Sequence, residues 1–215
     1  MVSLLIFDLD GTLVDSKQDI ANALNFALSQ EGCDTLDMSA IQDMVGRGAR
    51  HLVQEALGNP SNEVLARVFL AFWNRYEEHL LDQTRLYPGV LDFLEASDHP
   101  HKAVVTNKPI GFTHKILKGL KIDSFFRWVI GGDSLAVQKP DPSVLDPIFK
   151  DLAEKPKGLM IGDSDVDIDC GRAAGLYTCA VTYGFRSRQE LEAANPDFII
   201  DEFEALSEIP LLQRA

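Results

Sequence analysis

The sequence predicts an α/β protein: a parallel sheet with helices on both faces, and a small helical bundle inserted after the first strand. Three observations predict it. The apolar run Leu4-Leu5-Ile6-Phe7 ends in two acids one residue apart, Asp8 and Asp10, with Gly11 directly after. The next strand-like run does not begin until His101, and the stretch between reads as helix almost throughout. From there strands and helices alternate, which is the pattern of a parallel sheet with helical crossovers.

The first run is short and wholly apolar, so it predicts a strand buried on both faces. Ser16 can cap a helix running to about Gln30, where Gly32 stops it. Two short apolar-periodic segments, 39–44 and 49–57, flank the turn Gly46-Arg47-Gly48. Ser61 can cap a long helix to about Leu81, with Val64, Leu65, Val68, Phe69, Phe72, Tyr76 and Leu80 as its apolar stripe. Four helices without strands make a small bundle. Tyr87-Pro88-Gly89 restarts the chain as a helix with proline near its first turn. Strands are predicted at 101–106, 127–130, 158–161, 177–181 and 197–200, with helices between them capped by Asp141-Pro142 and by Ser164. Pro147 falls inside the helix drawn from Pro142, so that helix is kinked or starts later. The division expected is a core of residues 1–14 and 83–215, with 15–82 inserted as a helical cap.

Composition narrows the class. A chain of 215 residues with 46% hydrophobic content suits one domain with a modest insertion. A net charge of −13 argues against nucleic acid or an anionic membrane as partner. A small anionic substrate stays compatible, because a bound metal reverses the local field. Cys33, Cys170 and Cys179 form neither a disulfide framework nor a metal-binding pair, which predicts a reduced, cytoplasmic protein. The apolar start is too short for a signal peptide and runs into acids, and no window reaches membrane-spanning length.

Four clusters follow predicted strands: Asp8/Asp10, Thr106-Asn107, Lys139-Pro140 (after a loop), and Gly162-Asp163-Ser164-Asp165-Val166-Asp167. Residues i and i+2 of a strand face the same way, so Asp8 and Asp10 can address one ligand at the carboxyl edge of the sheet. Two anions so close call for a divalent cation, and oxygen ligands favour Mg²⁺. The chemistry that needs this set is transfer of a phosphoryl group to a carboxylate. A phosphate dianion and Asp8 repel by several kcal/mol at about 4 Å and intermediate dielectric. Mg²⁺ held by Asp8, Asp10 and Asp163 removes that barrier. Thr106 and Lys139 can bind the phosphoryl oxygens, and Asp10 can protonate the leaving alkoxide and later deprotonate water. Unassisted hydrolysis is so slow that the site must supply on the order of 20 kcal/mol.

The quartet Asp8-Leu9-Asp10-Gly11-Thr12, Val105-Thr106-Asn107, Lys139-Pro140 and Gly162-Asp163-Ser164 with Asp167 resembles the four motifs of the haloacid dehalogenase superfamily. The resemblance runs over nearly the whole chain. Val104 to Pro109, Gly131-Gly132-Asp133-Ser134, Thr182-Tyr183-Gly184-Phe185, Val45 to Ala49 and Pro196 to Asp201 resemble its phosphoglycolate phosphatase branch. The resemblance implies a Rossmann-like core and a helical cap. It implies Asp8 as nucleophile, Asp10 as acid/base and as a metal ligand through its backbone carbonyl, and Asp163 as the third ligand. Asp167 and Ser164 would stand behind these, and Gly11, Thr12 and Asn107 would meet the substrate. Val166 departs from the pattern, since many relatives carry Asn there.

The implied activity is Mg²⁺-dependent hydrolysis of a small phosphate monoester, with 2-phosphoglycolate the expected substrate and a monomer or homodimer the expected assembly. A sugar-phosphate mutase or a nucleotide or pyrophosphate hydrolase would use the same core. A receiver-type phospho-acceptor also combines acids, Thr and Lys, but is shorter and has no helical insertion. Arg47 in the Gly-rich cap loop is expected to contact the substrate, and Arg50 to be a solvated helix residue. Lys108 reads equally as an aid to the phosphate or as a surface lysine.

Overall fold

The computed structural model describes residues 2–58, 60–152 and 156–213. The chain enters on β1 (Leu4–Phe7) and turns into the short β2 (Val14–Asp15). Helices α1 (Lys17–Gln30), α2 (Met38–Met44), α3 (Ala49–Ala56) and α4 (Asn62–Glu78) follow. β3 (Arg85–Leu86) then pairs antiparallel with β2, Val14 opposite Leu86 and Asp15 opposite Arg85. The helical segment thus leaves and rejoins the rest of the chain through one two-stranded neck.

Beyond the neck come α5 (Val90–Ala96), β4 (His101–Val105), α6 (Ile110–Gly119) and β5 (Trp128–Ile130). They are followed by α7 (Asp146–Asp151), β6 (Gly158–Gly162), α8 (Asp165–Ala173), β7 (Tyr177–Val181), α9 (Arg188–Ala193) and β8 (Phe198–Ile200). Six of the strands form one parallel sheet in the order β5-β4-β1-β6-β7-β8. The chain builds outward from β1 to β5, then crosses back and builds outward from β6 to β8. The direction switches between β1 and β6, and the crevice at the carboxyl ends of such strands is where open α/β sheets bind ligands.

β1 is buried on both faces, as its unbroken apolar run requires. Leu5 and Phe7 belong to a core shared with Phe112, Ile116, Phe203 and the helical segment's Leu24 and Phe72. Leu4 and Ile6 point the other way, among Val105, Val144, Ile148, Met160 and Cys170. Phe7 is pinned by three rings, with centroids 6.2–6.3 Å from those of Phe93, Phe126 and Phe203. A buried central strand with this much aromatic contact holds its carboxyl end in place, and that end carries Asp8.

Several local expectations change. Ser16 stands at the N-cap of α1, but its hydroxyl makes no capping bond and donates to Asp10 instead. Pro88 lies outside α5, whose N-cap is Gly89 with φ +77°. Helix α4 stops at Glu78, short of Leu81. The segment from Pro142 to Leu145 is a 3₁₀ turn, and α7 starts after it with Pro147 in its first turn, where a missing N–H costs nothing. The three cysteines are free thiols. Among the described residues no helix is long and apolar enough to cross a membrane.

Candidate active site

Asp8 is the first residue past β1, and its backbone N–H still bonds the Ile161 carbonyl at 2.9 Å. Phe7 is level with Val104 and Ile161, so the next residues along β4 and β6 bring Thr106 and Asp163 to the same edge. The Lys139 ammonium donates to Asp8 Oδ1 at 2.8 Å and to Asp167 Oδ1 at 2.6 Å. Asp167 lies in the first turn of α8, and its other oxygen accepts from the backbone N–H (3.2 Å) and hydroxyl (2.6 Å) of Ser164. Asp163 Oδ2 accepts from the Phe185 N–H at 2.7 Å, and its Oδ1 is 3.4 Å from the Thr12 hydroxyl.

Asp8, Asp163 and Asp167 each bring one oxygen within 4.8 Å of the others, and all three are buried. This crowding sets their protonation. Burial pushes the Asp8 carboxyl up to about 6, held from going higher by Lys139 and raised further by the charges of Asp167 and Asp10. Burial, then Asp8 and Asp167, hold the Asp163 carboxyl well above the usual range. Burial works against the Lys139 cation, but Asp167 and Asp8 more than offset it and hold its proton more tightly than usual.

When all are ionised, Asp8, Asp10, Asp163 and Asp167 carry more negative charge than the Lys139 and Lys108 ammonium groups beside them match. A donor set of buried carboxylate oxygens with unmatched negative charge fits a hard divalent cation. The backbone around Asp163 leaves that space free of side chains. A Cβ on Gly11, which sits at φ +85°, would come within 2.1 Å of Asp163 Oδ2, and one on Gly184 within 2.3 Å of Asp163 Cβ.

The Asp10 side chain points elsewhere. Both of its oxygens lie 3.0 Å from the Lys108 ammonium, and Oδ1 also accepts from Ser16 at 2.5 Å. Thr106 is buried with its hydroxyl accepting from the Lys108 N–H at 3.2 Å. Asn107 joins two loops: its amide donates to the Gly46 and Lys139 carbonyls and accepts from the Lys139 N–H, all at 3.0 Å.

A pocket between the sheet edge and the helical segment collects these groups. Asp8, Asp10, Thr106, Asn107, Asp163 and Ser164 line it from the sheet side, and Ile20, Gly46, Gly48, Leu52 and Phe72 from the helices. Among the expected site residues, Gly11, Thr12, Lys139 and Asp167 do not line it. Lys139 and Asp167 lie behind Asp8, while Gly11 and Thr12 lie behind Asp163. Arg47, expected to contact the substrate, stands outside this lining. Its side chain is 62% exposed and faces Asp165 at 4.0 Å, because the turn presents its flanking glycines to the pocket and sends the arginine outward.

The sequence left Lys108 open between two readings and gave no site role to Tyr76 or Arg186. Lys108 is no surface lysine: only 5% of its side chain is exposed, and it donates to the Tyr76 hydroxyl at 2.6 Å. Its place two residues past Thr106 was the available signal. Tyr76 read simply as one member of a helical stripe. Arg186, directly after Thr182–Phe185, carried no mark of its own. It donates to the Gln42 and Val45 carbonyls at 3.0 and 2.7 Å, while the Gln42 amide returns a bond to the Phe185 carbonyl at 2.7 Å.

Known proteins with this arrangement are many. A family model for haloacid dehalogenase-like hydrolases matches residues 5–181. A phosphoglycolate phosphatase of Pseudomonas putida is 38% identical over 213 residues, covering 94% of this chain and 78% of its own length. One from Psychrobacter arcticus is 38% identical over 215 residues, covering 94% and 93%. The crystal structure of a predicted phosphoglycolate phosphatase from Haemophilus somnus superposes with a TM-score of 0.92 at 32% identity, covering 97% of each chain.

Proposed function

The chain belongs to the haloacid dehalogenase-like hydrolases, and from that premise we propose that it is a Mg²⁺-dependent phosphatase hydrolysing 2-phosphoglycolate to glycolate and phosphate. The observation that carries the reading is Asp8: a buried carboxylate at the end of the central strand, facing a pocket, with the Lys139 ammonium at 2.8 Å.

In the first half-reaction an Asp8 oxygen attacks phosphorus, and the bond to the leaving oxygen breaks with its electron pair going to that oxygen. Asp10, as a carboxylic acid, gives it a proton and releases the alcohol. In the second, water attacks the aspartyl phosphate, Asp10 takes up the water's proton, and the electron pair of the broken P–O bond returns to Asp8. Thr106 offers its hydroxyl to a phosphoryl oxygen, and Lys139 keeps a fixed positive charge beside the nucleophile. Asp8, Asp163 and the Asp10 backbone carbonyl would hold the ion, which when bound supplies positive charge that relieves the repulsion between Asp8 and the phosphate dianion. Asp167 fixes Lys139, and Ser164 fixes Asp167.

Residues 15–82 act in this reading as a cap domain over the leaving group. The core holds the phosphoryl group that all substrates share, so discrimination falls to the groups facing the leaving group. Those are Arg186, the Gly46 and Gly48 backbone and the apolar side chains of Ile20, Leu52 and Phe72. Such a pocket suits a short carboxylate-bearing leaving group better than a sugar. The test is phosphate release with Mg²⁺ from a panel of phosphorylated metabolites. Phosphoglycolate should give the highest kcat/KM. A sugar phosphate, nucleotide or pyrophosphate ahead of it would overturn the substrate assignment.

A further inference from the structure

We propose that Lys108 and Tyr76 are positioning residues for the proton donor Asp10, and that through them helix α4 sets the orientation of that donor. The proposal rests on the phosphatase reading above and adds to it a device the reaction scheme does not require.

The Lys108 ammonium grips Asp10 by both oxygens, at 3.0 Å each. That is a poor arrangement for binding phosphate, because the ammonium is turned to the carboxylate and not to Asp8. Its third direction goes to the Tyr76 hydroxyl at 2.6 Å, and it also lies 4.5 Å from the centroid of the Tyr76 ring. All three donors of the ammonium are therefore committed. Tyr76 in turn is wedged between Phe72, stacked at 5.6 Å, and Phe112 of the core, edge-on at 5.4 Å. Lys108 follows β4 of the core, whereas Tyr76 sits near the end of α4 in the helical segment. The chain of contacts Phe112–Tyr76–Lys108–Asp10 thus crosses from one to the other. Seating α4 on the core and fixing the Asp10 carboxylate are the same event. An acid that must meet a leaving oxygen within hydrogen-bond reach gains from being held in one orientation.

The test uses two esters and kcat/KM, which reports the phosphorylation of Asp8. Glycolate departs from phosphoglycolate as an alkoxide and needs a proton; dinitrophenolate departs from 2,4-dinitrophenyl phosphate without one. Lys108→Met should lower kcat/KM on phosphoglycolate by about 100-fold or more, in the range of a general-acid contribution, and on the dinitrophenyl ester by no more than about threefold. The variant should also release a burst of dinitrophenolate equal to the enzyme, because hydrolysis of the aspartyl phosphate still needs Asp10. Tyr76→Phe keeps the ring and removes the hydroxyl. It should show the same asymmetry at about three- to tenfold, and it carries the test if Lys108→Met does not fold. Equal losses on both esters, or a change in KM alone, would overturn the proposal while leaving the phosphatase reading intact. An unmodified enzyme inactive on both esters would overturn the two together.

Discussion

At the scale of single residues, the site follows from where charge is placed relative to a buried strand. Asp8 and Asp163 are buried carboxylates whose ordinary hydration has been removed; the Lys139 ammonium holds Asp8, and the Phe185 N–H holds Asp163. Asp8→Asn keeps shape and volume but cannot attack phosphorus. It should lower kcat by at least about 10⁴-fold, in the manner of a removed nucleophile, with the fold retained by circular dichroism. Turnover surviving within tenfold would remove Asp8 from the role. The motif acids, Thr106 and Lys139 were legible because their types, order and positions after strands carry chemistry on their own. The pairing of Lys108 with Asp10 was not. The two stand 98 residues apart, and nothing in either neighbourhood says which ammonium meets which carboxylate. The direction of the Arg47 side chain was not legible for a related reason. A cation in a glycine turn looks available, but the direction of a turn side chain is set by the backbone, here φ +120° at Gly46 and +92° at Gly48.

At the scale of elements, the loop between α2 and α3 is held to the core by main-chain carbonyls. Arg186 takes two of them and Asn107 a third. Arg186→Ala removes two charge-assisted bonds, each worth about 1.5–3 kcal/mol, and should raise KM for phosphoglycolate by about tenfold or more, whereas Arg47→Ala should change it less than about twofold. The reverse ranking in steady-state kinetics would return substrate contact to Arg47. The neck has its own fastening. Asp19 of α1 is buried and accepts from the Gln83 and Thr84 N–H groups and the Thr84 hydroxyl, at 2.8–3.0 Å. Asp19→Ala leaves those donors unsatisfied and should cost about 2–4 kcal/mol in denaturant unfolding, while Asp92→Ala, exposed on α5, should stay within about 0.5 kcal/mol. Equal small effects would mean water replaces the carboxylate. Strands and helices were legible from periodicity, but their ends were less so. Ser16 looks like a helix cap by residue type, and what it bonds was decided by the proximity of Asp10. Pro88 looks like a first-turn proline, and the left-handed Gly89 after it moves the helix start to Val90.

At the scale of the whole molecule, the sheet order gathers residues distant in sequence at one edge, and they bring more negative charge than the lysines match. The architecture was legible because both faces of β1 had to be covered and because a long helical stretch interrupts the strand pattern. The charge balance was not, since it depends on which groups are buried together. It carries a prediction about stability that does not involve turnover. A divalent ion that binds the folded chain alone should stabilise it by about 2.7 kcal/mol at one hundred times its Kd. For a chain of this length that is a rise in Tm of roughly 5–10 °C. The rise should depend on pH, with a defined sign. Asp8 titrates at about 6 in the folded protein against an ordinary 3.8, and the Asp163 carboxyl is raised as well. Protonation of these groups therefore stabilises the metal-free fold fully below their unfolded values, and that contribution is lost as pH rises through the folded ones. Mg²⁺ competes for the same oxygens and must displace those protons. The Tm gain on adding Mg²⁺ to chelator-treated protein should thus be small near about pH 5 and larger near about pH 7.5, where the carboxylates are free to take the ion. A gain that is equal at both pH values, or larger in acid, would show that the ion binds somewhere other than these carboxylates.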